Sequence, residues 1–210
     1  MTDSKKFKII GIAGNIGVGK TTLTRNLAER LGWNPYYESV IDNPYLDDFY
    51  SDMRRWSFNL QIYFLAHRFR AQKEIVDAGL PAIQDRTIYE DVEIFARSLF
   101  EQGYMSPRDY STYRELFKDM VWYLPKPDVI LYLKASVKTL MARIHQRGRD
   151  FEKTISPDYI EYLNRAYERW MREARETFEV WTINADEIDF MRDVTEFEKL
   201  VQRIRERFSE

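Results

Sequence analysis

The chain has 210 residues, 44% of them hydrophobic and 31% charged, and this composition excludes a disordered or low-complexity protein. Its 32 Lys and Arg residues are balanced by 34 Asp and Glu residues, so the formal charge of -2 argues against a dedicated binder of nucleic acid or anionic membranes. The absence of cysteine excludes disulfides, thiolate zinc sites and cysteine nucleophiles. No apolar stretch approaches the roughly 20 residues that span a bilayer, so we expect a cytoplasmic protein with no membrane or nucleic-acid partner.

Short apolar runs alternate with longer amphipathic segments along the chain, which is typical of βαβ units. The runs predicted as buried parallel strands are Phe7 to Ala13, Tyr36 to Val40, Pro81 to Asp85, Asp128 to Leu133 and Glu179 to Asn184. Helices are predicted over Lys20 to Leu31, Arg54 to Ala78, Tyr89 to Gln102, Pro107 to Trp122, Val137 to Gln146, Pro157 to Thr177 and Met191 to Phe208. No repeat or linker interrupts the pattern, so residues 1–210 are predicted to form a single α/β domain with a doubly wound, parallel five-stranded sheet.

A glycine-rich loop follows the first predicted strand and opens the first predicted helix. Residues 14–21 read Gly-Asn-Ile-Gly-Val-Gly-Lys-Thr, which matches the phosphate-loop pattern G-x-x-x-x-G-K-[ST] in full. In such a loop the glycines let backbone N–H groups wrap a triphosphate, the lysine neutralises β and γ oxygens, and the hydroxyl is offered to Mg²⁺. The residues predicted to bind a nucleoside triphosphate are Gly14, Asn15, Ile16, Gly17, Val18, Gly19, Lys20, Thr21 and Thr22.

Charged residues at the carboxyl ends of two further strands favour a kinase. No Asn-Lys-x-Asp motif of the guanine-binding GTPases is present. Glu38 lies toward the carboxyl end of the second predicted strand, where a carboxylate could take the proton from an attacking hydroxyl. For such a residue alone, an ordinary acid at a strand end is the commoner explanation. Asp85 ends the third predicted strand and Arg86 follows it, where they suggest a metal-facing carboxylate beside a phosphate-facing guanidinium.

Three arginines close the helix that follows the fourth strand. Arg143 and Arg147 are four residues apart and therefore share a helical face, and Arg149 follows after Gly148. Such a cluster could form a lid, at about residues 143–155, that neutralises a transferring phosphoryl group and excludes water. Cations that complement a helix C-terminus are the structural alternative.

Polar side chains set among aromatic ones suggest a pocket for a flat heteroaromatic base. Gln61 and Arg68 are two helical turns apart, about 10 Å, and project from one face of the long predicted helix. Asp91 and Phe95 share a face of a later helix. Aromatic residues alone belong more often to a core than to a pocket, but the polar groups among them favour the pocket.

Six motifs in order make the chain resemble the deoxynucleoside kinases, the family of the deoxyadenosine, deoxyguanosine, deoxycytidine and mitochondrial-type thymidine kinases. The motifs are Gly-Asn-Ile-Gly-Val-Gly-Lys-Thr (14–21), Glu38-Ser-Val with Asn43-Pro-Tyr-Leu46, Arg55-Trp-Ser-Phe-Asn-Leu-Gln61, His67-Arg-Phe-Arg-Ala-Gln72, Asp85-Arg-Thr-Ile-Tyr-Glu-Asp91 and Arg143-Ile-His-Gln-Arg-Gly-Arg149. The resemblance covers nearly the whole chain, is strongest to the bacterial purine branch, and is far more specific than the phosphate loop alone.

The resemblance implies roles at the reacting centre. Glu38 would be the general base on the deoxyribose 5′-hydroxyl, and Arg86 would support that hydroxyl and the transferring phosphoryl group. Asp85 would help to hold Mg²⁺ with Thr21, although many members of the family have glutamate at this position. The residues that would close over the phosphate donor ATP are Arg143, Arg147 and Arg149, together with Asp189 and Phe190 beside its adenine.

The resemblance also implies how the deoxynucleoside is held. Tyr50 and Glu152 would bind the sugar 3′-hydroxyl, Gln61 would hydrogen-bond the base edge, and Phe95 would stack on the base. Since the family is commonly dimeric, a homodimer is expected.

Base preference follows from Arg68 and Asp91, which place a charged donor and acceptor where a base would meet them. A carboxylate accepts from an exocyclic amine, and a site built for that hydrogen bond discriminates against thymine, which lacks the amine. The thymidine-accepting branches of the family carry apolar residues at the corresponding positions. The resemblance and this argument together imply ATP-dependent 5′-phosphorylation of deoxyadenosine first, deoxyguanosine next and deoxycytidine third. Two alternatives remain open: a nucleoside monophosphate kinase, and a nucleotide-binding sensor without turnover.

Overall fold

The computed structural model describes residues 7–37, 43–188 and 193–209. Its centre is a sheet of five parallel strands: β1 (Ile9–Gly14), β2 (Asn34–Tyr36), β3 (Ala82–Asp85), β4 (Val129–Lys134) and β5 (Glu179–Asn184). They lie in the order β2-β3-β1-β4-β5. The predicted fold class, an α/β protein with a doubly wound parallel sheet, is confirmed.

Helices cover both faces of this sheet. They are α1 (Lys20–Leu31), α2 (Leu46–Ser51), α3 (Met53–Ala78), α4 (Ile88–Glu90), a π-helical turn (Asp91–Ala96), α5 (Arg97–Glu101), α6 (Pro107–Val121), α7 (Val137–Arg147), a 3₁₀ turn (Asp150–Glu152), α8 (Pro157–Ala174) and α9 (Val194–Phe208). Within the described ranges, no helix is long and apolar enough to cross a membrane.

The strand register places the candidate site. Ile12 of β1 pairs with Asp85 of β3 on one side and with Leu131 of β4 on the other. Because the carboxyl ends of parallel strands lie at the same edge of a sheet, the loop after β1 and the Asp85–Arg86 pair at the end of β3 are side by side. All six residues of β1 are buried, as expected for a central strand covered by helices on both faces.

A second apolar core stands beside the sheet. It is formed by buried side chains of α2, α3, α6 and the segment from α4 to α5, among them Phe49, Leu60, Leu65, Leu99 and Phe117. The aromatic side chains of the motif at 55–61, Trp56 and Phe58, pack against this core. They therefore support the wall of the site rather than lining its cavity.

The second strand differs from the prediction. β2 begins at Asn34, because its N–H donates to the carbonyl of Pro81 at 2.9 Å and pairing with β3 starts there. Pro35 has no N–H to donate, but β2 is an edge strand, where proline is tolerated. The strand ends at Tyr36. The prediction that it continues to Val40 is wrong at Tyr37, which is not part of a strand, and residues 38–40 lie outside the described residues.

Two helical segments also differ from the prediction. The helix predicted over Tyr89 to Gln102 begins at Ile88, where Thr87 caps it, and is divided by the π-helical turn at Asp91–Ala96. The six-residue helix α2 was not predicted, because so short a segment carries no readable periodicity. The other predicted boundaries differ by only a few residues. Ser106 and Ser156, each followed by a proline, cap α6 and α8 by accepting backbone hydrogen bonds.

Candidate active site

A cavity of about 990 Å³ opens at the carboxyl edge of the sheet. The predicted site residues that line it are Ile16, Gly17, Val18, Gly19, Lys20, Thr21, Thr22, Tyr50, Gln61, Arg86, Asp91, Phe95, Arg143, Arg147, Arg149 and Glu152. Gly14, Asn15, Arg68 and Asp85 are not part of the lining, but each contacts a residue that is. The structure thus brings the described candidates together, while Glu38, Asp189 and Phe190 lie outside the described residues.

The phosphate loop owes its shape to glycine. Gly14, Gly17 and Gly19 have φ angles of 149°, 83° and 105°, a region that side chains disfavour. At Gly14 a Cβ would also lie 2.6 Å from the backbone oxygen of Leu133 on β4. The close packing of the loop on the sheet therefore requires glycine here, in addition to any need to approach a phosphate.

Two side chains of the loop have different surroundings. Lys20 is buried, and its Nζ donates to the carbonyls of Gly14 at 2.8 Å and Asn15 at 3.0 Å, so the ammonium lies across the mouth of the loop. The Asn15 side chain points away from the cavity and donates to the carbonyl of Ile160 at 2.9 Å and to Asn164 Oδ1 at 2.8 Å. Any contact of Asn15 with a phosphate would therefore come from its backbone, while its side chain anchors the loop to α8.

Thr21 and Asp85 supply the hard oxygen atoms of the site. The Thr21 hydroxyl donates to Asp85 Oδ2 at 2.5 Å, and the carboxylate is buried at the end of β3. Among the described residues there is no cluster of three or more acidic, histidine or cysteine side chains that could hold a metal alone. One hydroxyl and one carboxylate fit Mg²⁺ in a nucleotide site, because this ion keeps several waters and takes its other ligands from phosphates.

Arg86 is held in an unusual position directly after β3. Its φ of 71° makes it the one non-glycine residue with a left-handed backbone among the described residues, and its N–H donates to the carbonyl of Ile12 at 3.0 Å. The guanidinium lies 4.4 Å from the centroid of the Phe95 ring, and Nη1 donates to the Tyr167 hydroxyl at 2.9 Å. Such backbone strain persists only where surrounding contacts hold it, and it is concentrated at functional sites.

Glu90 is a site residue that the sequence analysis missed. Its side chain is completely buried and 3.7 Å from the Arg86 guanidinium. Oε1 accepts from the N–H of Gly14 at 3.2 Å and from the Tyr167 hydroxyl at 2.8 Å, while Oε2 accepts from the N–H of Thr87 at 2.8 Å. Burial raises the pKa of Glu90, and the nearby cations of Arg86 and Lys20 oppose the rise. The spacing of Thr87 and Glu90 in the sequence is that of a capping box, so the contact of Glu90 with Thr87 could have been predicted, but those with Gly14 and Tyr167 could not.

The base-reading candidates form two groups on the other side of the cavity. Arg68 and Asp91 are a buried pair, with Nε–Oδ2 at 3.2 Å and Nη2–Oδ1 at 3.4 Å, and Arg68 Nη1 also donates to the carbonyl of Asp85 at 3.2 Å. Asp91 lines the cavity and Arg68 supports it from behind. Gln61 is buried in the cavity wall, and its Oε1 has no hydrogen-bond partner within the described part of the chain. An amide oxygen in that state is suited to receive a ligand's donor.

The predicted lid arginines are engaged by protein groups. Arg143 donates to the carbonyl of Val18 in the phosphate loop at 2.8 Å and to that of Ala185, after β5, at 3.0 Å. Arg147 forms a two-pronged pair with the buried Glu152, with Nε–Oε2 at 3.0 Å, and Arg149 approaches the same carboxylate at 3.7 Å. Two of the three arginines thus converge on the residue predicted to bind the sugar.

The structure combines a parallel sheet, a phosphate loop and a cavity that is lined by the loop and by polar and aromatic groups. Together these features define a P-loop phosphotransferase for a small acceptor. The family model for deoxynucleoside kinases matches residues 10–209, and the chain belongs to this family. The predicted family and the predicted enzyme class, a deoxynucleoside kinase, are confirmed.

Individual relatives match nearly the whole chain. The chain is 45% identical over 201 residues to a deoxyadenosine/deoxycytidine kinase of Bacillus subtilis, covering 95% of this chain and 92% of that protein. It is 38% identical over 204 residues to a deoxyguanosine kinase of the same organism, covering 94% and 96%. The solved structure of a deoxyadenosine kinase from M. mycoides, with the products dCMP and a flexible dCDP bound, superposes with a TM-score of 0.85 at 31% identity and covers 94% of this chain and 99% of that one.

Proposed function

We propose that this kinase transfers the γ-phosphoryl group of ATP to the 5′-hydroxyl of a deoxynucleoside, with deoxyadenosine preferred. The observation that carries the proposal is that the phosphate loop, Arg86 and the base-reading groups Gln61 and Asp91 line one cavity. A site that binds donor and acceptor side by side lowers the entropic cost of bringing the two reactants together in the right orientation.

The donor side would be organised by the phosphate loop. Backbone N–H groups of the loop and the Lys20 ammonium, which already lies across its mouth, would bind the β and γ phosphates of ATP. The Thr21 hydroxyl and the Asp85 carboxylate are the groups that would hold Mg²⁺, directly or through water. When bound, Mg²⁺ supplies charge neutralisation of the phosphate oxygens.

At the acceptor, proton removal and charge stabilisation fall to different residues. Glu38 remains the predicted general base for the 5′-hydroxyl. The Arg86 guanidinium, fixed by Phe95 and Tyr167, would face the transferring phosphoryl group and stabilise its charge in a site from which water is excluded.

The arginine-rich lid would respond to ATP. In this structure Arg147 and Arg149 converge on Glu152. The phosphates of ATP would compete with the Glu152 carboxylate for these guanidinium groups, because phosphate oxygens are also bound strongly by arginine. Release of Glu152 would leave its carboxylate free to accept from the sugar 3′-hydroxyl beside Tyr50.

Preference for a base with an exocyclic amine is supported by the position of Asp91. Its carboxylate is buried in the cavity wall and oriented by two contacts from Arg68. Adenine, guanine and cytosine all carry an amine that can donate to a carboxylate, whereas thymine does not. The Asp91 carboxylate therefore disfavours thymidine, and among the three substrates with an amine the proposed order remains deoxyadenosine, deoxyguanosine and deoxycytidine.

We also propose that the enzyme acts as a cytoplasmic homodimer. Trp122 and Tyr123 follow α6 and are 84% and 79% exposed, which is apolar surface that a second subunit could cover. Light scattering on the purified protein tests the state of association.

The first experiment is a coupled ADP-release assay with Mg·ATP and deoxyadenosine, deoxyguanosine, deoxycytidine, thymidine and dAMP in parallel. Turnover with deoxyadenosine in the lead is expected. Turnover with thymidine in the lead would overturn the base preference but not the reaction. Turnover with dAMP alone would replace the proposal with a monophosphate kinase.

A further inference from the structure

A buried chain of hydrogen bonds connects the phosphate loop to Arg86. It runs from the Gly14 N–H to Glu90 Oε1, from Glu90 to the Tyr167 hydroxyl, and from that hydroxyl to Arg86 Nη1, with separations of 3.2, 2.8 and 2.9 Å. Glu90 and Tyr167 are completely buried. The four residues come from β1, the α4 helix, α8 and the segment after β3.

The donor in each link is determined by chemistry. A guanidinium only donates, so the Tyr167 oxygen must accept from Arg86. The single hydroxyl hydrogen is then available to Glu90, whose carboxylate lies at hydrogen-bond distance. Each of the three links therefore joins one donor to one acceptor in a single arrangement, and rotation of the Tyr167 hydroxyl away from Glu90 would break one of these buried hydrogen bonds.

A capping role alone does not explain Glu90. The contact of Oε2 with the Thr87 N–H completes the helix cap. The contacts of Oε1 with Gly14 and Tyr167 lead out of the helix, toward the phosphate loop and α8. A capping glutamate on an exposed helix end has no need of them, and burial of its charge would only add cost.

We propose that Glu90 and Tyr167 are positioning residues that hold the Arg86 guanidinium in register with the phosphate loop. This inference rests on the proposed function, in which Arg86 faces the phosphoryl group. Arginine has a long side chain with many rotamers, so its placement against a transition state requires contacts that fix its plane. Phe95 supplies a face for the guanidinium, and the Tyr167 hydroxyl fixes its rotation over that face.

Tyr167→Phe is the most selective variant for this proposal. It removes one hydroxyl and keeps the ring, which stacks on Tyr132 with centroids 5.9 Å apart. We expect kcat to fall about tenfold, with KM for ATP and for the deoxynucleoside changed by less than about twofold, since misplacement of a catalytic group affects the transition state most. The matched control is Tyr89→Phe, because that ring packs against Phe117 and Phe178 and its loss of a hydroxyl should leave kcat unchanged.

A double-mutant cycle separates positioning from general destabilisation. If Tyr167 acts through Arg86, Tyr167→Phe will cost nothing further in kcat once Arg86→Ala has been made. Effects that multiply in the double variant, or an unchanged kcat in Tyr167→Phe, would overturn the proposal.

A measurement without catalysis keeps the inference separate from the proposed function. In NMR spectra of the full chain, the Arg86 Nη–H signals should be resolved and slow to exchange in the wild-type protein. They should broaden or exchange faster in Tyr167→Phe, but not in Tyr89→Phe. If the wild-type enzyme phosphorylates none of the deoxynucleosides, the proposed function fails. If the width and exchange rate of the Arg86 signals are unchanged by Tyr167→Phe, the positioning role is wrong, regardless of which reaction the enzyme catalyses.

Discussion

The Arg68–Asp91 pair provides a quantitative test of how the cavity wall is built. The side chains are 5% and 3% exposed, and two N–O contacts of 3.2 and 3.4 Å join them. We expect Arg68→Met to lower the free energy of unfolding by about 3–5 kcal/mol, because the Asp91 carboxylate would remain buried without its countercharge. In a chain of this length each kcal/mol lowers Tm by about 2–4 °C, so the expected fall is about 6–20 °C.

The double variant Arg68→Met, Asp91→Leu distinguishes charge burial from lost packing. Because it removes both charges and fills the space with apolar groups, it should recover most of the stability lost in Arg68→Met. Thermal unfolding followed by circular dichroism gives both values. The exposed pair Lys73–Asp77 is the control, since Lys73→Met should cost less than about 1 kcal/mol. A double variant less stable than Arg68→Met would refute the reasoning.

The same double variant tests the base preference. With the Asp91 carboxylate gone, the amine of adenine loses its acceptor and thymine no longer meets a charged group. The ratio of kcat/KM for thymidine to that for deoxyadenosine should therefore rise. An unchanged ranking of the four deoxynucleosides would disprove the base-edge interpretation even if the stability results hold.

Three further outcomes are expected. Glu38→Gln should lower kcat by about 10² or more with little change in deoxynucleoside affinity, and retained activity would exclude Glu38 as the general base. Gly14→Ala should destabilise the fold by more than about 2 kcal/mol and abolish ATP binding, because its Cβ would meet the Leu133 oxygen. Gly32→Ala, where φ is also positive but the surrounding space is open, should cost less in a denaturant titration. Burial raises the pKa of Glu90 above its usual 4.5, so the folded protein holds this proton more tightly than the unfolded chain does. The Tm of the wild-type protein minus that of Glu90→Gln should therefore fall as pH rises above about 4.5. A difference in Tm that is constant with pH would contradict the raised pKa.

Local patterns were sufficient to predict the frame of the site. The phosphate loop, the strand that precedes it and the helix from Lys20 to Leu31 follow from adjacent residues. The structure has the helix as predicted and the strand within two residues of its predicted ends. β2 was misplaced because strand pairing, rather than local apolar character, decides where an edge strand begins. The π-helical turn at Asp91–Ala96 leaves no mark in the sequence, since apolar residues continue through it.

The hydrogen bonds that orient the side chains of the site could not be predicted from local patterns, because they join residues far apart in the chain. Tyr167 follows Glu90 by 77 residues and Arg86 by 81, and nothing near Tyr167 in sequence distinguishes its hydroxyl from those of the other tyrosines on α8. Motifs identify the groups that would touch a ligand, whereas the residues that aim these groups are chosen by the packing of helices on the sheet. For this reason Arg86 could be predicted from its motif, but the buried carboxylate and hydroxyl proposed to hold it could be recognised only in the fold.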